Sequence, residues 1–125
     1  MMAVRGIRGA VTVDANSKEA ITSATRDLLV AIVQENELQP DDIAGIMFTS
    51  TPDLTADFPA YAVRGLHWPT VPLLCAQEID VPGALPSVVR VLLLVNTTRT
   101  PQEIKHQYLR EAKQLRPDLT EGETA

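Results

Sequence analysis

Two arginines lie within apolar, strand-like stretches of this sequence, and their permanent charge is the first indication of chemistry. Arg90 interrupts the run Val88–Val95, and the two-residue period of a strand places it on the same face as Val88, Leu92 and Leu94. Arginine does not lose its proton in proteins, and an unpaired buried charge is strongly destabilising. We therefore expect Arg90 to be embedded in an apolar face and to bind an anion, either a protein carboxylate or a ligand.

Arg8 has a similar setting, between Gly6 and Gly9, where the missing side chains allow another group to approach the backbone closely. This segment lacks the third glycine and the following helix of a dinucleotide-binding fingerprint, so we do not predict a Rossmann site. Glu78 follows a predicted strand and precedes a Pro-Gly turn, a position from which functional side chains often project. A solvated loop carboxylate is the alternative interpretation of Glu78.

Other reactive residue types form no recognisable pattern. His67, His106 and Cys75 lack the short spacing of metal ligands, and no G-x-S-x-G nucleophile motif occurs. Cys75, within an apolar strand, is more typical of a small core residue than of a nucleophile. Residue patterns alone thus indicate two arginines that need anions and one candidate carboxylate.

The whole chain fits one globular domain. It has 125 residues, of which 45% are hydrophobic and 22% charged, values typical of folded proteins. Its net charge of -5 argues against general binding of nucleic acid or anionic membranes. The longest apolar run is too short to span a bilayer, and the single cysteine cannot form an intrachain disulfide. We expect a cytoplasmic protein.

Strands and one long helix dominate the predicted secondary structure. We expect strands at residues 2–13, 43–50, 71–76 and 87–95. Asn16 and Glu19 resemble a capping box, and apolar residues at helical spacing predict a helix from there to about Glu37.

The remaining segments are shorter or ambiguous. Residues 58–65 resemble a short helical turn closed by Gly65, and residues 81–86 a connection rich in proline and glycine. Residues 100–103 carry the signals of another helix start. Residues 108–115 fit either a helix or a terminal edge strand, and the pattern alone does not decide between them.

Several separated motifs, in this order, resemble the small chorismate mutases of the type first known from Bacillus. The motifs that carry the resemblance are Val4-Arg5-Gly6-Ile7-Arg8-Gly9-Ala10, Ser50-Thr51-Pro52-Asp53-Leu54, Phe58-Pro59-Ala60, Cys75-Ala76-Gln77-Glu78-Ile79-Asp80-Val81, Val89-Arg90-Val91, Tyr108-Leu109 and Leu115-Arg116-Pro117-Asp118-Leu119. The sequence departs from the family at Tyr61, where lysine is frequent, at Leu74, where a smaller polar residue occurs, and in a shorter loop around His67. Tyr61 removes any lysine contribution at the pocket rim.

The resemblance implies an α/β (α+β) fold in which a mixed five-stranded sheet packs against one long helix and a short helical turn. It implies a homotrimeric pseudo-barrel with sites between neighbouring chains, and it makes Tyr108 part of a strand. It further implies a single domain over residues 1–119, with a flexible tail at 120–125.

The activity implied by the resemblance is the rearrangement of chorismate to prephenate in aromatic amino acid biosynthesis, without covalent intermediate, metal or cofactor. Arg90 would donate to the ether oxygen, and Glu78 would favour the positive charge that develops on the ring. Arg8 and Tyr108 would hold a carboxylate, while Cys75 would contribute position and backbone. The residues expected to line or close the pocket are Phe58, Arg64, Leu115 and Arg116.

Two rival functions remain open at this point. A trimeric deaminase of reactive imines also uses an interfacial arginine to hold a carboxylate, although it gives no reason for Glu78 beside Cys75. A non-catalytic trimeric metabolite binder would keep the anion pocket without turning over substrate.

Overall fold

The computed structural model describes residues 1–116, which form a mixed five-stranded sheet with an α-helix on one face. The strands are β1 (Ala3–Thr12), β2 (Ile43–Ser50), β3 (Leu73–Gln77), β4 (Val88–Thr97) and β5 (Gln107–Leu109), in the spatial order β3-β2-β4-β1-β5. β4 runs antiparallel to β1 and β2, whereas β3 and β5 run parallel to their neighbours. The predicted mixed five-stranded sheet is confirmed. The predicted tail at residues 120–125 lies outside the described residues.

The helix α1 (Lys18–Glu35) covers one face of the sheet. Its apolar stripe is fully buried, and each large aliphatic side chain in it contributes about 2 kcal/mol by leaving water. Gly9 of β1 allows the helix to pack closely, since a Cβ there would lie 2.8 Å from Ile32 Cδ1. The stripe consists of Ile21, Leu28, Leu29 and Ile32.

The start of α1 differs from the prediction. Ser17, not Asn16, is the N-cap, and its hydroxyl accepts from the Ala20 N–H at 3.1 Å. Asn16 instead accepts from the N–H groups of Thr55 and Ala56, each at 3.0 Å. The amide of Asn16 therefore holds the loop after β2 against the start of the helix.

The predicted helical turn at 58–65 is a 3₁₀ helix, Pro59–Leu66, and it ends one residue beyond. The prediction that Gly65 closes it is wrong, because His67 takes the left-handed conformation with φ 59°. Gly65 serves packing instead. A Cβ there would lie 2.7 Å from Arg26 Nη2, so the glycine makes room for a guanidinium of α1.

The C-terminal part of the described chain resolves the ambiguity at 108–115. Tyr108 lies in β5, which confirms the strand implied by the resemblance, but Arg110–Leu115 is a 3₁₀ helix. The helix start predicted at 100–103 is only one 3₁₀ turn, Pro101–Glu103. The capping box of Thr100 and Glu103 is present, yet the next residues extend toward β5 instead of continuing a helix.

The second face of the sheet, here called the open face, is only partly covered within residues 1–116. A small cluster of Ala10, Val88, Tyr108 and Ala112 buries one end of it. Elsewhere it exposes large apolar side chains, namely Val4, Met47, Leu74 and Leu94. Because exposed apolar patches in folded proteins often mark contact surfaces, this face is where a ligand or another chain is expected.

Asp53 ties the end of β2 to the start of β4 by accepting from the Ser87 N–H at 3.0 Å and from the Ser87 hydroxyl at 2.9 Å. Partial burial raises the pKa of Asp53, but hydrogen bonds from Thr51 and Ser87 outweigh it and lower the pKa below the ordinary 3.8. A depressed folded-state pKa gives stability that is present above the unfolded pKa and is lost as pH falls through the folded pKa.

We therefore expect the melting temperature of the wild type to fall more steeply between about pH 5 and pH 3 than that of Asp53→Asn, which does not titrate. Thermal unfolding followed by circular dichroism across this range measures the difference. Parallel pH curves for the two proteins would contradict the stabilising role of the carboxylate.

Candidate active site

Arg90 lies at the centre of the sheet, on the open face. In β4 its neighbours Val89 and Val91 point into the core, and across the sheet it stands opposite Ala10 of β1 and Thr49 of β2. The prediction that Arg90 is embedded in an apolar face is wrong for a single chain, since its side chain is 43% exposed. The physical reason is that no second layer covers this part of the open face within residues 1–116.

Arg90 forms a charged cluster with Glu78 and Thr49. Its Nε donates to both carboxylate oxygens of Glu78 at 3.1 Å, and the Thr49 hydroxyl donates to Glu78 Oε2 at 2.8 Å. The side chain of Glu78 is only 16% exposed, so the ion pair is partly shielded from water. Within the described range, the terminal nitrogens of Arg90 make no hydrogen bond and can donate to a ligand.

The backbone explains how Glu78 reaches an arginine two strands away. β3 and β4 are separated by β2, and the Glu78 N–H donates to the Ser50 carbonyl at 2.9 Å, which extends the β2–β3 pairing past Gln77. Thr49, on the intervening strand β2, lies beside this ion pair and donates to the carboxylate. Glu78 is thus a partner of Arg90 and not a solvated loop residue.

Beside this cluster, a cavity of about 490 Å³ opens on the same face. Three arginines contribute to its wall, which makes it locally basic although the chain as a whole is acidic. It is lined by Arg8, Gly9, Met47, Thr49, Arg90, Val91, Leu92, Tyr108, Leu115 and Arg116. Glu78 is not among the lining residues but contacts two of them, Arg90 and Thr49.

Arg8 and Tyr108 enter the cavity from adjacent strands. Arg8 is exposed on the open face of β1, and Tyr108 of β5 is paired in register with Ala10. Tyr108 is 6% exposed. Parallel pairing of β1 and β5 therefore brings a guanidinium and a phenol, 100 residues apart in sequence, to one wall.

Leu115 and Arg116 reach the cavity from the 3₁₀ helix that follows β5. This segment is attached to the end of β1, because Arg110 Nη1 donates to the Thr12 carbonyl at 3.1 Å and the Glu111 N–H donates to the Thr12 hydroxyl at 3.2 Å. The structure thus brings five predicted site residues together in one wall, with Glu78 behind it.

The other three predicted site residues lie elsewhere in the same chain. Phe58 and Cys75 line a different cavity of about 640 Å³, and Arg64 lines another of about 600 Å³. Cys75 is paired with Phe48 and packs against the core on the helix side of the sheet, opposite the face of Arg90. One chain alone does not join these residues to Arg90.

Tyr61, at the position where the family often has lysine, contacts two of the predicted site residues. The Arg64 guanidinium carbon lies 4.2 Å from the centroid of the Tyr61 ring, a cation–π arrangement. The Phe58 ring meets Tyr61 edge-on, with centroids 5.5 Å apart. Tyr61 carries no charge itself, but it fixes the position of a residue that does.

Cys75 is not activated as a nucleophile. Burial raises the pKa of its thiol, and a hydrogen bond from the Ala60 backbone opposes this shift only in part. The thiolate is the reactive form of cysteine, so a raised pKa leaves Cys75 largely protonated at neutral pH.

Sequence reasoning missed two residues with contacts at the site. Thr49, which lies beside the ion pair of Glu78 and Arg90, is a polar residue on the open face of an apolar strand, and this alternation was a usable signal. His106 was considered only as a metal ligand, whereas its Nδ1 accepts from the Arg8 N–H at 2.9 Å. No local pattern indicates that contact, because it joins residues 98 positions apart.

Residues 1–116 also lack two features that other functions would need. Among these residues, no three His, Cys, Asp or Glu side chains gather into a group able to hold a metal ion. No helix in this part of the chain has both the length and the apolar character needed to cross a membrane.

The structure is that of a small α+β protein with a basic cavity on one face of its sheet, and a cavity with three arginines suits an anion. Known proteins identify its family. The profile described as "Chorismate mutase type I" matches residues 4–119. The chain is 51% identical to chorismate mutase AroH of Thermus thermophilus over 117 residues, which cover 93% of this chain and 96% of that protein.

Two further relatives agree. Identity to chorismate mutase AroH of Bacillus subtilis is 45% over 120 residues, 95% of this chain and 94% of that protein. A solved structure of a chorismate mutase from Clostridium thermocellum superposes with a TM-score of 0.86 at 46% identity, covering 87% of this chain and 97% of that one. The chain belongs to the chorismate mutase type I family, and it is an isomerase.

Proposed function

We propose that this enzyme rearranges chorismate to prephenate in the basic cavity of the open face, with Arg90 and Glu78 as its catalytic residues. The observation that carries this proposal is the cluster of Arg90, Glu78 and Thr49 at the edge of a cavity that also receives Arg8. A substrate with two carboxylates matches a site with several arginines, and the mechanism needs no nucleophile or metal.

Charge separation determines the role of Arg90. In the rearrangement the ether carbon–oxygen bond breaks while a new carbon–carbon bond forms, so negative charge grows on the oxygen and positive charge on the ring. The Nε of Arg90 donates to the Glu78 carboxylate at 3.1 Å, which fixes the guanidinium. The two terminal nitrogens of Arg90 then donate to the ether oxygen and to a substrate carboxylate. A donor held in place before the reaction needs no reorganisation when the charge develops.

Glu78 has two functions in this mechanism. It orients the guanidinium of Arg90, and its negative charge favours the cationic character of the ring. Arg8 and Tyr108 hold the enolpyruvyl carboxylate, while Leu115 and Arg116 close the cavity. The hydroxyl of Thr49 keeps the Glu78 carboxylate in the orientation that serves both functions.

The active assembly in this proposal is a homotrimer with sites between neighbouring chains. Phe58, Arg64 and Cys75 lie away from Arg90 in one chain, and a neighbouring copy can supply them to complete the cavity. The exposed apolar side chains of the open face support burial against a second copy. Residues 1–119 act as one domain, and a cytoplasmic location stays a prediction.

Leu94 tests the assembly. It lies on the open face, is 39% exposed and belongs to neither the charged cluster nor the cavity wall. We expect Leu94→Asp to convert a trimer, three times the 13.6 kDa of one chain, to monomer with loss of turnover. Light scattering coupled to gel filtration measures the mass. Ser23→Asp, on the exposed side of α1, adds the same charge and is expected to remain trimeric.

The loss of chorismate absorbance in the ultraviolet, with purified protein and with Arg90→Ala as control, tests the activity. Turnover by the wild type that is abolished in the variant supports the assignment. A wild type that binds chorismate without turning it over would instead indicate a non-catalytic homologue.

A further inference from the structure

His106 continues the pairing between β1 and β5 by one residue. The backbone register runs from Gly9 opposite Gln107 to Val11 opposite Leu109, so Arg8 comes next to His106. At that position the acceptor for the Arg8 N–H is the ring nitrogen Nδ1 of His106, at 2.9 Å, in place of a backbone carbonyl. On its β5 side the backbone of Arg8 is therefore held by a side chain, while on the other side it pairs with Leu92 of β4.

The segment that carries His106 is itself anchored to the end of α1. Asn36 is 2% exposed, and its amide donates to the Lys105 carbonyl at 2.9 Å while accepting from the Lys105 N–H at 2.8 Å. The same amide donates to the Ile32 carbonyl at 2.9 Å, which fixes its own orientation. This buried clamp leaves His106, the next residue, little freedom relative to the helix.

The contact requires a neutral imidazole with its proton on Nε2, because a protonated ring has no acceptor. The surroundings favour that state. Burial lowers the pKa of His106, and the positive charges of Arg8 from β1 and Arg116 from beyond the 3₁₀ helix lower it further. Asn36 on the side of α1 is uncharged, and no carboxylate of residues 1–116 hydrogen-bonds to the ring.

We infer that His106 is a positioning residue for substrate binding: its ring fixes the backbone of Arg8 and thereby aims the Arg8 guanidinium at a substrate carboxylate. This inference rests on the proposed function, in which Arg8 holds the enolpyruvyl carboxylate. A carboxylate is present in substrate and transition state alike, so a less well aimed Arg8 weakens both equally. The loss then falls on KM and not on kcat.

Three substitutions of His106 separate this role from a merely structural one. Asparagine has an acceptor oxygen at the same number of bonds from Cα as Nδ1 of His106. In glutamine the acceptor oxygen is one bond further from Cα, and leucine has no acceptor. We expect KM for chorismate to rise about fivefold in His106→Leu and His106→Gln, with kcat within about twofold of the wild type. His106→Asn is expected to restore KM to within about twofold.

The outcomes are distinguishable. Wild-type turnover combined with an unchanged KM in His106→Leu, or with equal KM values in the Asn and Gln variants, overturns the positioning role. A loss confined to kcat, in step with a lower melting temperature, would likewise show that His106 acts only on stability. If the leucine variant does not fold, the comparison of Asn with Gln decides alone. Absence of wild-type turnover overturns the proposed function itself and, with it, this inference.

Discussion

Arg90→Lys is expected to fold normally and to lose at least about 10²-fold in kcat, the cost of removing one preorganised donor at a developing charge. Lysine keeps the positive charge, but its ammonium is a single point of donation. It cannot bind Glu78 through one nitrogen while two others in the same plane face the substrate, as the guanidinium does. The loss of chorismate absorbance at saturating substrate measures kcat.

Arg99→Lys is the matched control for this substitution. Arg99 binds Glu37 and the Glu103 carbonyl, and none of these three residues lines the cavity, so the same chemical change is expected to leave kcat within about twofold. If Arg90→Lys retained near-normal kcat, the placement of its guanidinium at the ether oxygen would be wrong. An equal loss in both variants would point to a general effect on folding.

The sheet was predictable because its strands carry their own signals. Alternation and β-branched residues located four strands, with boundaries within two residues of those observed. The errors arose where two neighbouring residues compete for one structural role, as at Asn16 and Ser17. Both can cap a helix, and only the position of the loop at Thr55 decides which of them does.

The short elements were less predictable because tertiary contacts determine them. Gly65 resembles a helix terminator, yet the space beside it is occupied by the guanidinium of Arg26. Arg26 belongs to α1, which is distant in sequence but packed against Gly65 in the fold. β5 has only three residues, and its pairing with β1 joins segments about 100 positions apart. A sequence pattern of that length does not distinguish a strand from a helical turn.

The site could be predicted only in part, because tertiary contacts between distant residues also determine which side chains meet there. Periodicity places Arg90 on a sheet face and shows that it needs an anion, but the anion is Glu78, which reaches Arg90 directly across the intervening strand β2. Strand order is not encoded in the local pattern, so neither the spacing nor the family resemblance predicted this ion pair. The burial of the Arg90 side chain was also wrongly predicted. Periodicity gives the face on which a residue lies but not what covers that face.

Glu78→Gln is expected to reduce kcat on the order of 10²-fold, with a smaller effect on KM. Glutamine preserves the shape of the side chain and can still accept from the Thr49 hydroxyl, but it removes the negative charge beside the ring. It also weakens the hold on Arg90, because a neutral amide oxygen binds a guanidinium less strongly than a carboxylate does. Initial rates over a range of chorismate concentrations separate kcat from KM.

Thr49→Val provides the comparison that assigns this loss to charge. Valine has nearly the same volume and removes only the hydroxyl bond to Glu78 Oε2, leaving the ion pair with Arg90 at 3.1 Å in place. Since a hydrogen bond from a neutral donor to a charged group contributes about 2 kcal/mol, we expect a loss of at most about 30-fold in kcat. A Glu78→Gln variant no slower than Thr49→Val would mean that the carboxylate only orients Arg90. A Glu78→Gln variant much slower than Thr49→Val instead means that kcat depends on the negative charge of Glu78, beside the ring and in its hold on Arg90, and not only on the hydrogen bond from Thr49. That dependence of kcat on charge distinguishes a catalyst of this rearrangement from a pocket that merely binds an anion.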